Sequence, residues 1–174
     1  MEKKKITAID THAHTNFHAF SDDIEEVMAR AVSARVALIN VGTQIETTAR
    51  AVELTDKYEN CYAIIGLHPI HTQRIFHDTA ELGEGAEQGF TSHGEDFDID
   101  AYISYLSHPK VVGVGETGFD YYHTTSETHA SQLKAFTGQI ELALRGELPL
   151  MIHTRGKDRR DMSAYHDALD TLTQ

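Results

Sequence analysis

Apolar residues in this chain fall into two alternating rhythms. Residues 6–11, ITAIDT, alternate with period two, as a half-covered strand does. The period then lengthens. Ile24, Val27, Met28 and Ala31 form an i, i+3, i+4, i+7 stripe, with Ser21 as the predicted cap and Asp22 and Asp23 in the first turn. VALINV, 36–41, is a near-continuous apolar run, the pattern of a strand covered on both faces. A second helix is predicted from about Ile45 to Tyr58, and CYAIIG, 61–66, is the third strand. The rhythm lapses over 71–96, which is polar and Gly-bearing and is predicted as a long inserted loop. It resumes with a helix carrying Ile99, Tyr102, Ile103 and Leu106 that stops before Pro109. VVGVGE, 111–116, is the fourth strand. A long helix capped by Ser126 follows, with Leu133, Phe136, Ile140 and Leu144 as its stripe and Gly146 as its close. LPLMIH, 148–153, is the fifth strand, and a last helix carries Met162, Tyr165, Leu169 and Leu172.

Five strand-then-helix units predict an α/β fold with parallel strands. Two architectures compete. A doubly wound sheet is complete at this length, but its phosphate loop, G-x-G-x-x-G, is missing. GVGETG, 113–118, has Glu116 where a phosphate needs bare backbone, and no helix starts directly after it. A (β/α)₈ barrel takes about 250 residues, so five units make a barrel that is incomplete at its C-terminal side.

Composition narrows the class. A chain of 174 residues is expected to be one domain, 1–174. One cysteine, Cys61, forms no internal disulfide and reads as a small core residue, which predicts a cytoplasmic protein. No apolar run approaches the roughly 20 residues that span a bilayer. Lys and Arg total 15 and acids 27, a formal charge of −12, which excludes a protein that coats nucleic acid non-specifically. It does not exclude an enzyme that meets phosphate through cations.

Candidate chemistry collects at the carboxyl ends of the strands, where α/β folds carry it. Strand one ends in Asp10, His12 and His14, and residues two apart share a face. With 12 His in 174 residues, chance gives on the order of one H-x-H pair per chain, so the pair alone is weak. Strand three ends in G-L-H-P with His68, strand four in G-E-T-G-F-D-Y-Y with Glu116 and Asp120, and strand five in I-H-T-R with His153 and Arg155. Four of five strands ending this way is a much rarer coincidence. Imidazole and carboxylate without thiolate suit Zn²⁺, Mn²⁺ or Mg²⁺ at a catalytic site. His71, His77 and His93 in the polar loop read as solvated, and R-G-K-D-R-R, 155–160, as a solvated loop beyond Arg155. Tyr121 and Tyr122 either pack or stack on a base; one of them is expected to pack.

D-T-H-A-H, G-L-H-P, G-E-T-G-F-D-Y-Y and I-H-T-R, in this order after successive strands, resemble the TatD-like metal-dependent hydrolases, amidohydrolase-like TIM barrels best known for DNA hydrolysis. The resemblance covers residues 6–155. It implies that His12 and His14 ligate one metal, that Glu116 bridges two and is the catalytic carboxylate, and that His153 ligates the second. It implies that His68 and Arg155 lie near the substrate phosphate and that Asp120 supports the ligands from behind. Two divalent ions, Mg, Mn or Zn, are then the cofactors, and a hydroxide between them attacks phosphorus at a DNA end. The family pattern continues with a histidine after a sixth strand and an aspartate after an eighth. The chain stops before both, so it reads either as a fragment or as a natural truncation, in which case an oligomer or a complementing segment is expected to complete the barrel. Two rival readings stand beside this one. The same site cleaves an ester or amide, as in a D-aminoacyl-tRNA deacylase, or the truncated barrel is inactive.

Overall fold

A computed structural model of the chain describes residues 5–77 and 90–173, without the side chains of residues 75–77 and 90–92. Five strands form its main sheet: β1 (Ala8–Ala13), β2 (Val36–Val41), β3 (Cys61–Ile65), β6 (Val111–Asp120) and β7 (Leu150–Arg155). Two short strands, β4 (Ile75–His77) and β5 (Phe90–Ser92), pair antiparallel apart from it. The main sheet runs in the order β1-β2-β3-β6-β7, and every pair is parallel. Sequential order has a geometric consequence. Each right-handed crossover steps in the same direction, so all the helices fall on one face and the sheet curls around the other. The result is a curled half-barrel rather than a doubly wound sheet.

The helices are α1 (Ile24–Ala34), α2 (Ile45–Lys57), α3 (Ile99–Ile103), α4 (His129–Gly146) and α5 (Ser163–Leu172). The main core lies between sheet and helices. Ala51 and Val52 of α2 and Ala135, Leu142 and Ala143 of α4 meet Ala63, Ile65, Val111 and Val114 of the central strands. A second cluster joins Met28, Leu38, Leu54 and Cys61, and Cys61 is fully buried. Burial falls away toward both edges. β3 and β6 are buried at most positions, whereas every residue of β1 from Ala8 to His12 is exposed.

Several local expectations are corrected. β1 runs two residues further than expected, so His12 lies inside it. β6 continues to Asp120, because its ladder with β7 resumes at Thr117↔Ile152 and holds through Asp120↔Arg155; Glu116 sits mid-strand, at the register break. Ser21 does not cap α1, which starts at Ile24 behind Asp23; its Oγ accepts instead from an Arg50 guanidinium N–H at 2.9 Å. Ser126 opens a single 3₁₀ turn ahead of α4. The left-handed residue closing α4 is Glu147 (φ 52°) rather than Gly146.

The buried face of α4 is also rotated from the expected stripe. Gln132, Ala135, Phe136, Gln139, Leu142 and Ala143 face inward, while Leu133 and Leu144 are exposed. Two amides thus occupy core positions, and both bind backbone. Gln139 accepts from the Leu67 N–H (2.9 Å) and donates to the Leu67 carbonyl (2.9 Å) and to Thr117 Oγ1 (2.8 Å). Gln132 treats Asp120 likewise, accepting from its N–H (2.9 Å) and donating to its carbonyl (3.1 Å). Each amide satisfies backbone groups beside a candidate site residue, and a buried strand end without a ladder partner requires that.

The segment 71–96 is tied down at both described ends. A 3₁₀ turn, Pro69–Thr72, leads into β4, and β5 leads into Glu95. Glu95 accepts from the Ile45 N–H at the start of α2 (2.9 Å) and from the Tyr102 hydroxyl (2.5 Å). His77 carries no described side chain, and residues 78–89 lie outside the described residues.

Candidate metal centre

The residues singled out at the strand ends converge on one carboxylate. Glu116 Oε2 lies 3.1 Å from His12 Nε2, and its Oε1 lies 2.8 Å from His153 Nδ1. His12 and His14 bring their Nε2 atoms within 3.2 Å of each other. Two donor groups result, His12–His14–Glu116 and His68–Glu116–His153, with Glu116 in both.

The His14 and His153 rings are oriented from behind. The His14 Nδ1–H donates to the Val41 carbonyl at 3.0 Å, and Phe17 stacks on the ring at 4.4 Å between centroids. With its proton held at Nδ1, neutral His14 turns a bare Nε2 lone pair to the cluster, as a metal ligand must. Burial lowers its pKa, which favours that neutral form. The turn after β1 is pinned to β2 by two asparagines. Asn40 Oδ1 accepts from the Thr15 N–H (2.8 Å) and hydroxyl (2.7 Å), and Asn16 donates to the Val41 and Thr47 carbonyls.

His153 is held from the other side. Asp120 Oδ2 takes its Nε2–H at 3.0 Å, which leaves Nδ1 for the cluster. Carboxylate behind, imidazole in front is the arrangement that raises ligand basicity. Asp120 is fixed in turn by N–H donors from Tyr122 (3.0 Å) and His123 (2.8 Å) and by the His123 ring (2.9 Å). His123 and Gln132 are contributors that the sequence reading left without a role.

His68 differs. Its Nδ1 accepts from the Ile70 N–H at 3.2 Å, so the neutral ring carries its proton on Nε2. Burial lowers its pKa, and the ring stays neutral. His68 therefore points a donor, not a lone pair, at the gap between Glu116 (3.7 Å) and His153 (3.2 Å). It lies near enough to be counted with the second donor group, but its tautomer suits a bound oxygen better than a cation.

The charges of the cluster compensate one another. Burial opposes ionisation of Glu116, but the hydrogen bonds from His153 and His68 outweigh it and lower its pKa well below 4.5. Burial likewise opposes a charge on Asp120, and the bonds from His153 and His123 override it, lowering its pKa below 3.8. Burial also works against a charged His153, yet its bonds to Asp120 and Glu116 push its pKa up to about 9. A proton on His153 thus stands where a cation would balance the two acids. The His153 contribution to stability is complete below its unfolded value of 6.5 and is lost as pH rises through about 9. The two carboxylates contribute above their unfolded values and lose that contribution as pH falls. In chelator, the melting temperature is expected to decline from pH 6.5 to 9, and to decline less in His153→Gln. A flat wild-type profile over that window would contradict this balance of charges.

The structure therefore brings His12, His14, His68, Glu116, Asp120 and His153 together. Arg155 lies at the rim, with its guanidinium carbon 4.2 Å above the Tyr122 ring centroid. Tyr121 is buried and donates its hydroxyl to Asp167 (2.5 Å), while Tyr122 is exposed.

The model of the TatD-related DNases matches residues 9–174. The chain belongs to that family. It is 37% identical over 148 residues to an uncharacterized metal-dependent hydrolase, YabD, of Bacillus subtilis, covering 84% of this chain and 50% of that protein. It is 29% identical over 154 residues to the 3'-5' ssDNA/RNA exonuclease TatD of Escherichia coli, covering 88% of this chain and 52% of that one. Among solved structures, the TatD homologue YjjV of E. coli superposes with a TM-score of 0.68 at 28% identity, over 95% of this chain and 54% of its own. A TatD-family hydrolase of Entamoeba histolytica, 20% identical, shares the fold with a TM-score of 0.70, over 97% of this chain and 54% of its own. The chain spans about half the length of the curated relatives it matches. Among the described residues, no helix is long and apolar enough to cross a membrane.

Proposed function

We propose that this chain supplies the cation-binding half of a barrel that hydrolyses phosphodiester bonds at DNA ends in the cytoplasm. The observation that carries the reading is Glu116, whose two oxygens serve two separate histidine groups, Oε2 toward His12 and Oε1 toward His153. The donor set fits divalent cations, because His14 and His153 each have one nitrogen occupied by an oxygen acceptor and the other facing Glu116 or its neighbours. His12, His14 and Glu116 would hold one ion, and Glu116 and His153 a second. Bound there, the ions would lower the pKa of water and neutralise charge developing on phosphate. The protein groups do the rest. Glu116 sets the spacing of the two sites, Asp120 keeps His153 oriented, His68 donates from Nε2 to a phosphate oxygen, and Arg155 takes a second oxygen with its forked N–H groups. The name of the E. coli TatD relative, a 3'-5' ssDNA/RNA exonuclease, supports a nucleic-acid substrate.

Residues 1–174 act as one domain in this reading. The exposed strand β1 and the outer edge of β7 are covered by a second chain or a complementing segment, since a closed barrel leaves no free edge. The test is a side-by-side assay of the purified chain with Mn²⁺ or Mg²⁺. Single-stranded oligonucleotides labelled at either end are compared with D-aminoacyl-tRNA. Weak metal-dependent release of nucleotides from one labelled end, abolished by chelator, is expected of the half-barrel alone. Deacylation without nuclease activity would move the reading to ester hydrolysis. Neither activity, with metal bound, would make the chain a non-catalytic half-barrel.

A further inference from the structure

We infer that Tyr122 and Arg155 form a nucleotide subsite at the rim of the metal centre, in which the Tyr122 ring stacks an unpaired base and Arg155 holds the phosphate beside it. The inference rests on the nucleic-acid reading above and adds a determinant of strand type to it.

Three observations carry it. First, Tyr122 is 56% exposed, although its neighbour Tyr121 is buried in the helix layer. An aromatic ring held at the edge of a site and left open to solvent offers a stacking face that a packed ring does not. Second, Arg155 makes no ion pair among the described residues, in a chain with 27 acids and only 15 Lys and Arg. Its contact is with the Tyr122 ring, 4.2 Å from guanidinium carbon to centroid. That contact orders the side chain without using its N–H donors, which stay free for an anion. Third, both residues are fixed to the metal centre by backbone. The Tyr122 N–H donates to Asp120 Oδ1 (3.0 Å), the same carboxylate that holds His153. The Tyr121 N–H donates to the Arg155 carbonyl (2.7 Å), and Asp120 and Arg155 are register partners. The platform therefore cannot drift from the cluster without disturbing Asp120.

A base inside a duplex already stacks on both faces and has none to spare for Tyr122. A paired terminal base also has one open face but is held in the plane of its partner, whereas an unpaired terminal base has one and is free to turn onto the ring. The pair thus selects frayed or single-stranded ends by a contact that ignores base identity, since every base has a π-face. Arg155 contributes sequence-independent affinity to the adjacent phosphate.

The experiment measures binding of phosphorothioate oligothymidylates, with Mn²⁺ present, to wild-type, Tyr122→Ala, Tyr122→Phe and Arg155→Ala proteins. Two ligands are compared, one with a complete terminal nucleotide and one abasic at that position. Wild-type affinity is expected to fall about 5- to 100-fold on removal of the base. Tyr122→Ala should lose a similar factor for the intact ligand and a clearly smaller one for the abasic ligand, through the loosened Arg155 side chain. Tyr122→Phe, which keeps the π-face, should bind as wild type does. Arg155→Ala should weaken both ligands alike and reduce the slope of log affinity against log salt by about 0.7. Wild-type binding that ignores the abasic change, or an equal loss of both ligands in Tyr122→Ala, would overturn the subsite while leaving the nucleic-acid reading in place. No binding of either ligand by a metal-loaded wild type would overturn both.

Discussion

Glu116→Gln is expected to weaken binding of both cations by more than about 100-fold, whereas His12→Ala combined with His14→Ala removes one. The asymmetry follows from where the carboxylate stands. Oε2 faces His12 at 3.1 Å and Oε1 faces His153 at 2.8 Å, so one side chain belongs to both donor groups. Glutamine keeps the size but replaces one charged oxygen with an amide NH₂, which repels a cation and removes half of the bridge. Residues that only support a ligand cost about 10–100-fold when removed, and a shared ligand must exceed that. The fold is expected to survive, because β6 is held by ladders on both sides and by α4. Metal content after dialysis, with circular dichroism as the fold control, checks this. Retention of both ions by Glu116→Gln, or loss of both by the His12/His14 double variant, would contradict the shared role.

Gln139→Leu is expected to destabilise the protein by about 2–4 kcal/mol and to lower the melting temperature by on the order of 10 °C. Gln139 is fully buried and satisfies both the N–H and the carbonyl of Leu67, together with Thr117 Oγ1. Leucine fills a similar volume but pairs with none of them, and two backbone groups are left in the core without partners. Water has little room to replace the amide, since a methyl group on Gly66 would already lie 2.3 Å from Gln139 Oε1. The change also frees the segment that carries His68. A chelator-treated thermal melt measures the effect apart from metal binding. A shift within error of wild type would mean that the Leu67 groups find other partners.

The strand-and-helix rhythm located all five strands of the main sheet, because central strands such as VALINV leave no ambiguity when both faces are covered. His12, His14, His68, Glu116, Asp120 and His153 were visible as polar residues at or near strand ends, and the family motifs tied them to one centre. The supporting amides were not visible. Gln132 and Gln139 read as surface positions in a helix whose leucines set the stripe, yet Leu144 is 74% exposed and both glutamines are fully buried. A pattern of apolar residues carries no information about backbone groups that need an amide partner, and those groups rotated the helix by about one residue, roughly 100°. Asn40, a lone amide inside the apolar run VALINV, offered a signal that the apolar pattern passed over. The tautomers of His14 and His68 depend on Val41 and Ile70 backbone atoms, which only the folded chain brings near.

Anomalous diffraction from crystals saturated with Mn²⁺ locates the cations and so shows whether Glu116 joins two sites. Two anomalous peaks are expected, one against His12 and His14 and one against His153, each in contact with a different oxygen of the Glu116 carboxylate. A single peak, or two peaks of which only one touches Glu116, would contradict the shared carboxylate.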